Sequence, residues 1–219
     1  MAASPQPPRD VRVEPEGLAG LLGIPAGARG LVIFAHGSGS GRLSPRNNHV
    51  ADQLRAAGLA TFLLDLLRPE EEADRANVFD IGLLASRLAA ATRWVREQPE
   101  ASDLAIGYFG ASTGAAAALT AAAGAETDIA AVVSRGGRPD LAIDLLPRVS
   151  VPTLLLVGSL DGPVIGMNES AFAALGGEKQ LHIVPGAGHL FEEPGTLDEV
   201  VRHARDWFLR HLGTAGESA

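Results

Sequence analysis

Ser112 is the residue around which a reaction can be built. It stands in Gly110-Ala111-Ser112-Thr113-Gly114, a Gly-x-Ser-x-Gly pattern between an apolar run at 104–109 and an alanine-rich stretch of helical character. A serine on so sharp a strand-to-helix turn is held in a strained backbone conformation, so the residues two before and two after must be small. The turn lifts the hydroxyl above the carboxyl edge of a sheet. It also sets it beside helix N-terminal N–H groups that can stabilise an oxyanion. A serine that merely caps a helix after a glycine turn would leave the same five residues, so the pattern needs partners.

A serine hydroxyl needs a base, and the base needs an orienting carboxylate. Of six histidines, His189 lies in Pro185-Gly-Ala-Gly-His189-Leu-Phe191, a glycine-rich loop after the last apolar run. His182 falls inside an expected strand, while His49, His203 and His211 fall on expected helices, where structural or surface roles suffice. His211, near a helix C-terminus, is accounted for by the macrodipole. Asp161, in Gly158-Ser-Leu-Asp161-Gly-Pro163, follows another apolar run, although Asp-Gly-Pro is also ordinary turn chemistry. Ser112, Asp161 and His189 each follow a different expected strand at its carboxyl end, where open parallel sheets bind ligands.

A fourth element is Phe34-Ala-His36-Gly37-Ser38-Gly39-Ser40-Gly41. It lacks the third glycine of Gly-x-Gly-x-x-Gly, with Arg42 in that place, and reads better as an oxyanion loop. The backbone N–H groups of Ser38 and Thr113 are expected to form the oxyanion hole. His36 is expected to brace that loop. Arg135 and Arg138 follow Val132-Val133-Ser134 near the expected mouth and suit either a surface role or a clamp on a carboxylated ester. Phe191, with Leu190 and Phe79, fits an acyl pocket or the core.

The elements that must position these residues are legible in the punctuation. Strands are expected at 11–13, 18–24, 31–35, 59–66, 104–109, 129–134, 151–157 and 180–184. Ser44-Pro45 opens a helix closed by Gly58, with serine as N-cap and proline at the first helical position. Further helices are expected at 78–98, after Ser112, at 139–146, at 163–175 and at 196–212, where Thr196 and Glu199 make a capping-box pattern. Two strands followed by repeated strand–helix units imply a mostly parallel sheet with helices on both faces. One domain is expected over 11–212, with tails at 1–10 and 213–219.

Composition narrows the function classes. The chain has 219 residues, 46% of them hydrophobic and 20% charged, with a formal net charge of −8. That balance argues against nucleic acid, which requires a basic stripe to neutralise phosphates. No cysteine is present, which excludes disulfides, thiolate metal sites and a cysteine nucleophile. The single lysine, Lys179, follows no glycine-rich loop, so no P-loop is present. The first ten residues carry no apolar signal region, and apolar runs are too short for a bilayer. The expectation is a cytoplasmic monomer or homodimer that acts on a small molecule, without membrane, cofactor or metal.

The sequence resembles the α/β-hydrolases of the dienelactone-hydrolase-like group. The resemblance rests on Phe-Ala-His-Gly-Ser-Gly-Ser-Gly at 34–41, Ser-Pro-Arg-Asn at 44–47 and Gly-Tyr-Phe-Gly-Ala-Ser-Thr-Gly-Ala-Ala at 107–116. It also rests on Ser-Arg-Gly-Gly-Arg-Pro-Asp at 134–140 and Pro-Gly-Ala-Gly-His-Leu-Phe-Glu-Glu-Pro at 185–194. It implies an α/β-hydrolase fold and a serine-type hydrolase with Ser112, Asp161 and His189 as triad, in the chain order of that fold. Dienelactone hydrolases proper use cysteine where this chain has Ser112, so carboxylesterase activity is the expectation. Residues 134–151 leave room for a loop and one short helix rather than a cap domain, which suits short-chain esters. An acyltransferase, a thioesterase or a non-catalytic ligand-binding member would share the same residues.

Overall fold

Every residue of Leu31–Ala35 is apolar, as a strand covered on both faces requires. The computed structural model describes residues 7–124 and 128–213, and in it this run is the third of eight strands in one sheet. The strands are β1 Arg9–Val13, β2 Leu18–Gly23, β3 Leu31–Ala35, β4 Ala60–Leu64, β5 Ile106–Ala111, β6 Ile129–Arg135, β7 Thr153–Gly158 and β8 Lys179–Val184. Their spatial order is β1-β2-β4-β3-β5-β6-β7-β8. β2 pairs antiparallel with both β1 and β4, and every other pair is parallel.

The helices are α1 Pro45–Ala56, α2 Pro69–Glu72, α3 Arg75–Val78, α4 Ile81–Arg96, α5 Thr113–Ala122, α6 Gly162–Ala174 and α7 Thr196–Leu212. Period-two alternation along the strands divides the core between the two faces. Leu31, Ile33 and Ala35 join Leu84, Leu88 and Val95 of α4 and Ala116–Leu119 of α5. Val32 and Phe34 face the other way, toward Val50 and Leu54 of α1 and Val200, Ala204 and Phe208 of α7.

The alanine richness of α5 has a steric cause. A Cβ at Gly110 would sit 2.4 Å from the Cα of Ala115, and one at Gly114 would sit 2.1 Å from the carbonyl oxygen of Ala35. The helix backbone is therefore pressed against β5 and β3, and its first turn follows directly on the strand that carries the serine.

Several local expectations are corrected. β1 begins at Arg9, inside the stretch expected to be a tail, because Arg9 already pairs with Leu22. The helix expected from residue 78 begins at Ile81, where Asp80 accepts the N–H of Leu83 at 2.9 Å, and two short helices precede it. Pro139–Arg148 is helical, as a 3₁₀ segment kinked at Ala142, and Pro147 removes a donor within it. The capping box at Thr196 does not form: Gly195 occupies the cap, and Glu199 bonds His182 instead. Ser44 caps α1 as expected, accepting the N–H of Asn47 at 3.4 Å. Among the described residues no helix is long and apolar enough to cross a membrane.

Candidate active site

Ser112 bridges β5 and α5 with φ 51° and ψ −120°. This backbone conformation is costly for a residue with a Cβ, on the order of 1–3 kcal/mol. It persists because the turn is tied down from three sides. The N–H of Ser112 donates to the carbonyl of Arg135 at 3.3 Å, and its own carbonyl accepts the N–H groups of Ala115 at 3.1 Å and Arg138 at 3.0 Å. Across the turn, a Cβ at Gly37 would lie 2.9 Å from that of Ser112, so only glycine allows the oxyanion loop this close.

Asp161 and His189 meet as expected. The imidazole Nδ1 bonds Asp161 Oδ2 at 2.7 Å. Asp161 stands at the N-cap position of α6 yet makes no capping bond, because its carboxylate is turned to the histidine. This distinguishes it from a turn aspartate. With Nδ1 engaged, Nε2 is the nitrogen left to act as base. Ser112 and His189 line one cavity of about 550 Å³, within the size range of small-molecule sites. The Ser112 hydroxyl makes no hydrogen bond among the described residues; such contacts are often loose before substrate binds.

The histidine loop is held by two residues that the sequence did not single out. Glu193 accepts the N–H of Gly188 at 3.1 Å, and that bond, together with backbone N–H groups at 193 and 192, holds its carboxyl below the usual range. Gly136, at φ 51°, leaves room for the backbone of the histidine loop, since a Cβ there would lie 3.1 Å from the His189 carbonyl oxygen. Only the positive-φ signature of glycine could have marked it in advance.

The two backbone N–H groups expected to receive an oxyanion differ. The N–H of Thr113 has no partner among the described residues, whereas that of Ser38 donates to the Thr113 hydroxyl at 3.2 Å. An incoming oxyanion would have to replace that hydroxyl. His36 braces the loop: its Nε2 accepts the N–H of Leu66 at 3.0 Å, and its Nδ1 lies 3.0 Å from the carbonyl of Gly37. With Nε2 accepting, Nδ1 is the nitrogen placed to donate to the Gly37 carbonyl.

The three proposed substrate-binding residues divide. Arg135 lines the cavity although it is only 8% exposed. Burial, with like-charge repulsion from Arg46 adding to it, lowers its guanidinium to about 10. Arg138 instead forks onto Asp140 at 2.9 and 2.8 Å, which raises its own pKa, and it does not line the cavity. Phe191, in a left-handed conformation at φ 55°, is buried in the core between the sheet and α1 and α7. Leu190 does line the cavity, and Phe79 is exposed with the Arg75 guanidinium 5.6 Å from its ring centre. Two further arginines line the cavity, Arg42, paired with Asp65, and Arg46, paired with Glu192 at 2.6 Å.

His182, Glu199 and His203 bring potential metal-ligand atoms within 4.8 Å of one another. The group is already satisfied internally. Glu199 lies 2.9 Å from His182 Nε2, and Arg202 lies 3.0 Å from His203 Nε2, so it serves as a polar tie between β8 and α7.

A model of the dienelactone hydrolase family matches residues 18–212. The chain belongs to that family. A dienelactone hydrolase from Anabaena variabilis is 54% identical, covers 94% of this chain and 100% of its own, and superposes with a TM-score of 0.89. Est1E from Butyrivibrio proteoclasticus, 15% identical over 94% of this chain and 99% of its own, shares the fold with a TM-score of 0.79. The fold is that of the α/β-hydrolases. Two Mycobacterium tuberculosis proteins, from strains CDC 1551 and H37Rv, are each 56% identical over 99% of this chain and carry the name "Putative phosphoribosyl transferase". The chain spans 50% of their length. In this member of the dienelactone hydrolase family, Ser112 on its strained turn and the aspartate-held imidazole of His189 line one cavity.

Proposed function

We propose that the protein is a serine hydrolase that cleaves small, short-chain carboxylic esters through an acyl-enzyme intermediate. The observation that carries this reading is the positive-φ Ser112 beside the 2.7 Å Asp161–His189 pair at the rim of one cavity. His189 Nε2 takes the hydroxyl proton as Ser112 Oγ forms a bond to the ester carbonyl carbon. The developing oxyanion is received by the N–H groups of Thr113 and Ser38, the latter after the Thr113 hydroxyl gives way. Collapse breaks the bond to the alcohol oxygen, which takes the proton back from His189. Water, deprotonated by the same imidazole, then releases the acid and regenerates Ser112.

The transferase name of the mycobacterial relatives describes proteins twice this length. Acyl transfer to water is the chemistry that the shared segment supports here. Ser112→Ala is expected to lower ester turnover by at least ~10⁴-fold with the fold intact. Product analysis with added alcohols and thiols reads the choice of acceptor. Acid as the main product supports hydrolysis, and predominant transfer to the added acceptor replaces it with an acyltransferase.

A further inference from the structure

Two acceptors of α7 face each other beside β8. Glu199 and His203 stand one helical turn apart on the same side of the helix, with Glu199 Oε1 3.8 Å from His203 Nε2. His182 of β8 donates from Nε2 to that same oxygen at 2.9 Å, and its ring packs 3.8 Å from the ring of His203. A tie between strand and helix needs only the His182–Glu199 bond. The second imidazole brings another lone pair toward a carboxylate, which is repulsive unless a cation lies between them. That cation is the Arg202 guanidinium, whose Nη2 is 3.0 Å from His203 Nε2 and 3.6 Å from Glu199 Oε1. The Arg202 side chain is 54% exposed, so it holds this place weakly.

The donor set suits a metal ion better than a guanidinium. Two imidazoles and one carboxylate are a zinc donor set that leaves a fourth position for water, whereas magnesium and calcium prefer all-oxygen sites. Around a tetrahedral zinc with bonds of about 2.0–2.1 Å, the ligand atoms stand roughly 3.4 Å apart. The separations of 2.9 and 3.8 Å bracket that value, and all three atoms lie within 4.8 Å of one another. We propose that His182 Nε2, Glu199 Oε1 and His203 Nε2 bind one zinc-class divalent ion, with water completing its coordination. On binding, Arg202 swings into solvent and the two rings spread. The His182 proton moves from Nε2 to Nδ1, since a ligating nitrogen needs its lone pair. β8 ends at Val184 and α7 begins at Thr196, so the chain between them is the loop that carries His189. His182 stands on one stem of that loop, and Glu199 and His203 on the other. The ion therefore clamps the base of the histidine loop from outside the cavity, which none of its three ligands lines. Such a clamp is independent of the chemistry of Ser112.

The test uses the whole chain, stripped with EDTA and returned to chelator-free buffer at pH 7.5. Zinc chloride should bind one-to-one by calorimetry and raise the Tm, and magnesium chloride should do neither. His203→Gln and Glu199→Gln should each weaken zinc binding at least ~10-fold. Arg202→Ala, which removes the competing cation, should tighten it by roughly 2–5-fold. His189→Gln and His49→Gln should bind zinc as the wild type does. If either ligand variant does not fold, His182→Gln takes its place in the comparison. A wild type whose Tm does not respond to zinc overturns the site, and so does a response unchanged in the ligand variants. Weaker binding in Arg202→Ala overturns the exchange of guanidinium for metal. Binding lost in His189→Gln or His49→Gln overturns the assignment by placing the ion at the Asp161 or Asp198 pair instead.

Discussion

A backbone held at φ 51° at Ser112 is tolerated because its neighbours are atoms that cannot be moved aside. Gly114 is the tightest of these points, with a virtual Cβ 2.1 Å from the Ala35 carbonyl oxygen and 2.5 Å from that of His36. Both are backbone atoms of the strand and loop that precede the oxyanion turn. Gly114→Ala is therefore expected to cost about 3 kcal/mol or more, measurable as a lower urea midpoint. A midpoint unchanged from wild type would show that the turn is looser than described. Ser112, Asp161 and His189 were legible in the sequence because each sits just past an apolar run, with glycine or proline marking the turn. Arg46 and Asp65 were not. Their roles arise where loops from β3, β4 and β6 converge at the sheet edge, and no local spacing encodes that convergence. For Phe191, two residues after His189, the sequence left an acyl pocket and the core both open, and the ring lies in the core with its backbone in a left-handed conformation.

At the scale of elements, the sequence patterns located the strands well and helix ends less well. The capping box at Thr196 failed because Glu199 found a better partner across the fold, in His182 on β8. That partner holds the Glu199 carboxyl below its ordinary range. The same region makes stability depend on pH. Burial lowers the His203 imidazole, with His182 and Arg202 adding to the shift, and burial lowers His211, with Arg210 adding. Each folded-state value then lies below the unfolded value of about 6.5. The unfolded chain binds protons first as pH falls, so this part of the stability is present above about pH 6.5 and is lost as pH falls through the folded values. Glu199 acts in a lower window, losing its contribution below about pH 4.5. The Tm should therefore fall between pH 7.5 and 5.5, and His203→Gln with His211→Gln should flatten that slope. An unchanged slope in the double variant would locate the titration elsewhere.

For the whole molecule, the mostly parallel sheet with helices on both faces follows from the succession of strands and helices along the chain, which is why it was readable from sequence. The connection from β6 to β7 holds only the 3₁₀ segment Pro139–Arg148, and the cavity wall is completed by residues such as Leu67, Pro69 and Glu72 ahead of α4. A cavity of about 550 Å³ walled by short loops suits compact acyl groups. Across straight-chain p-nitrophenyl esters, kcat/KM should peak between acetate and hexanoate, and a peak at long chains would contradict this. The most direct measurement is intact-protein mass after reaction with a fluorophosphonate, followed by peptide mapping. One equivalent attached at Ser112, absent from Ser112→Ala, together with loss of ester turnover in that variant, is the expected result. Labelling at another residue, or full esterase activity in Ser112→Ala, would contradict it.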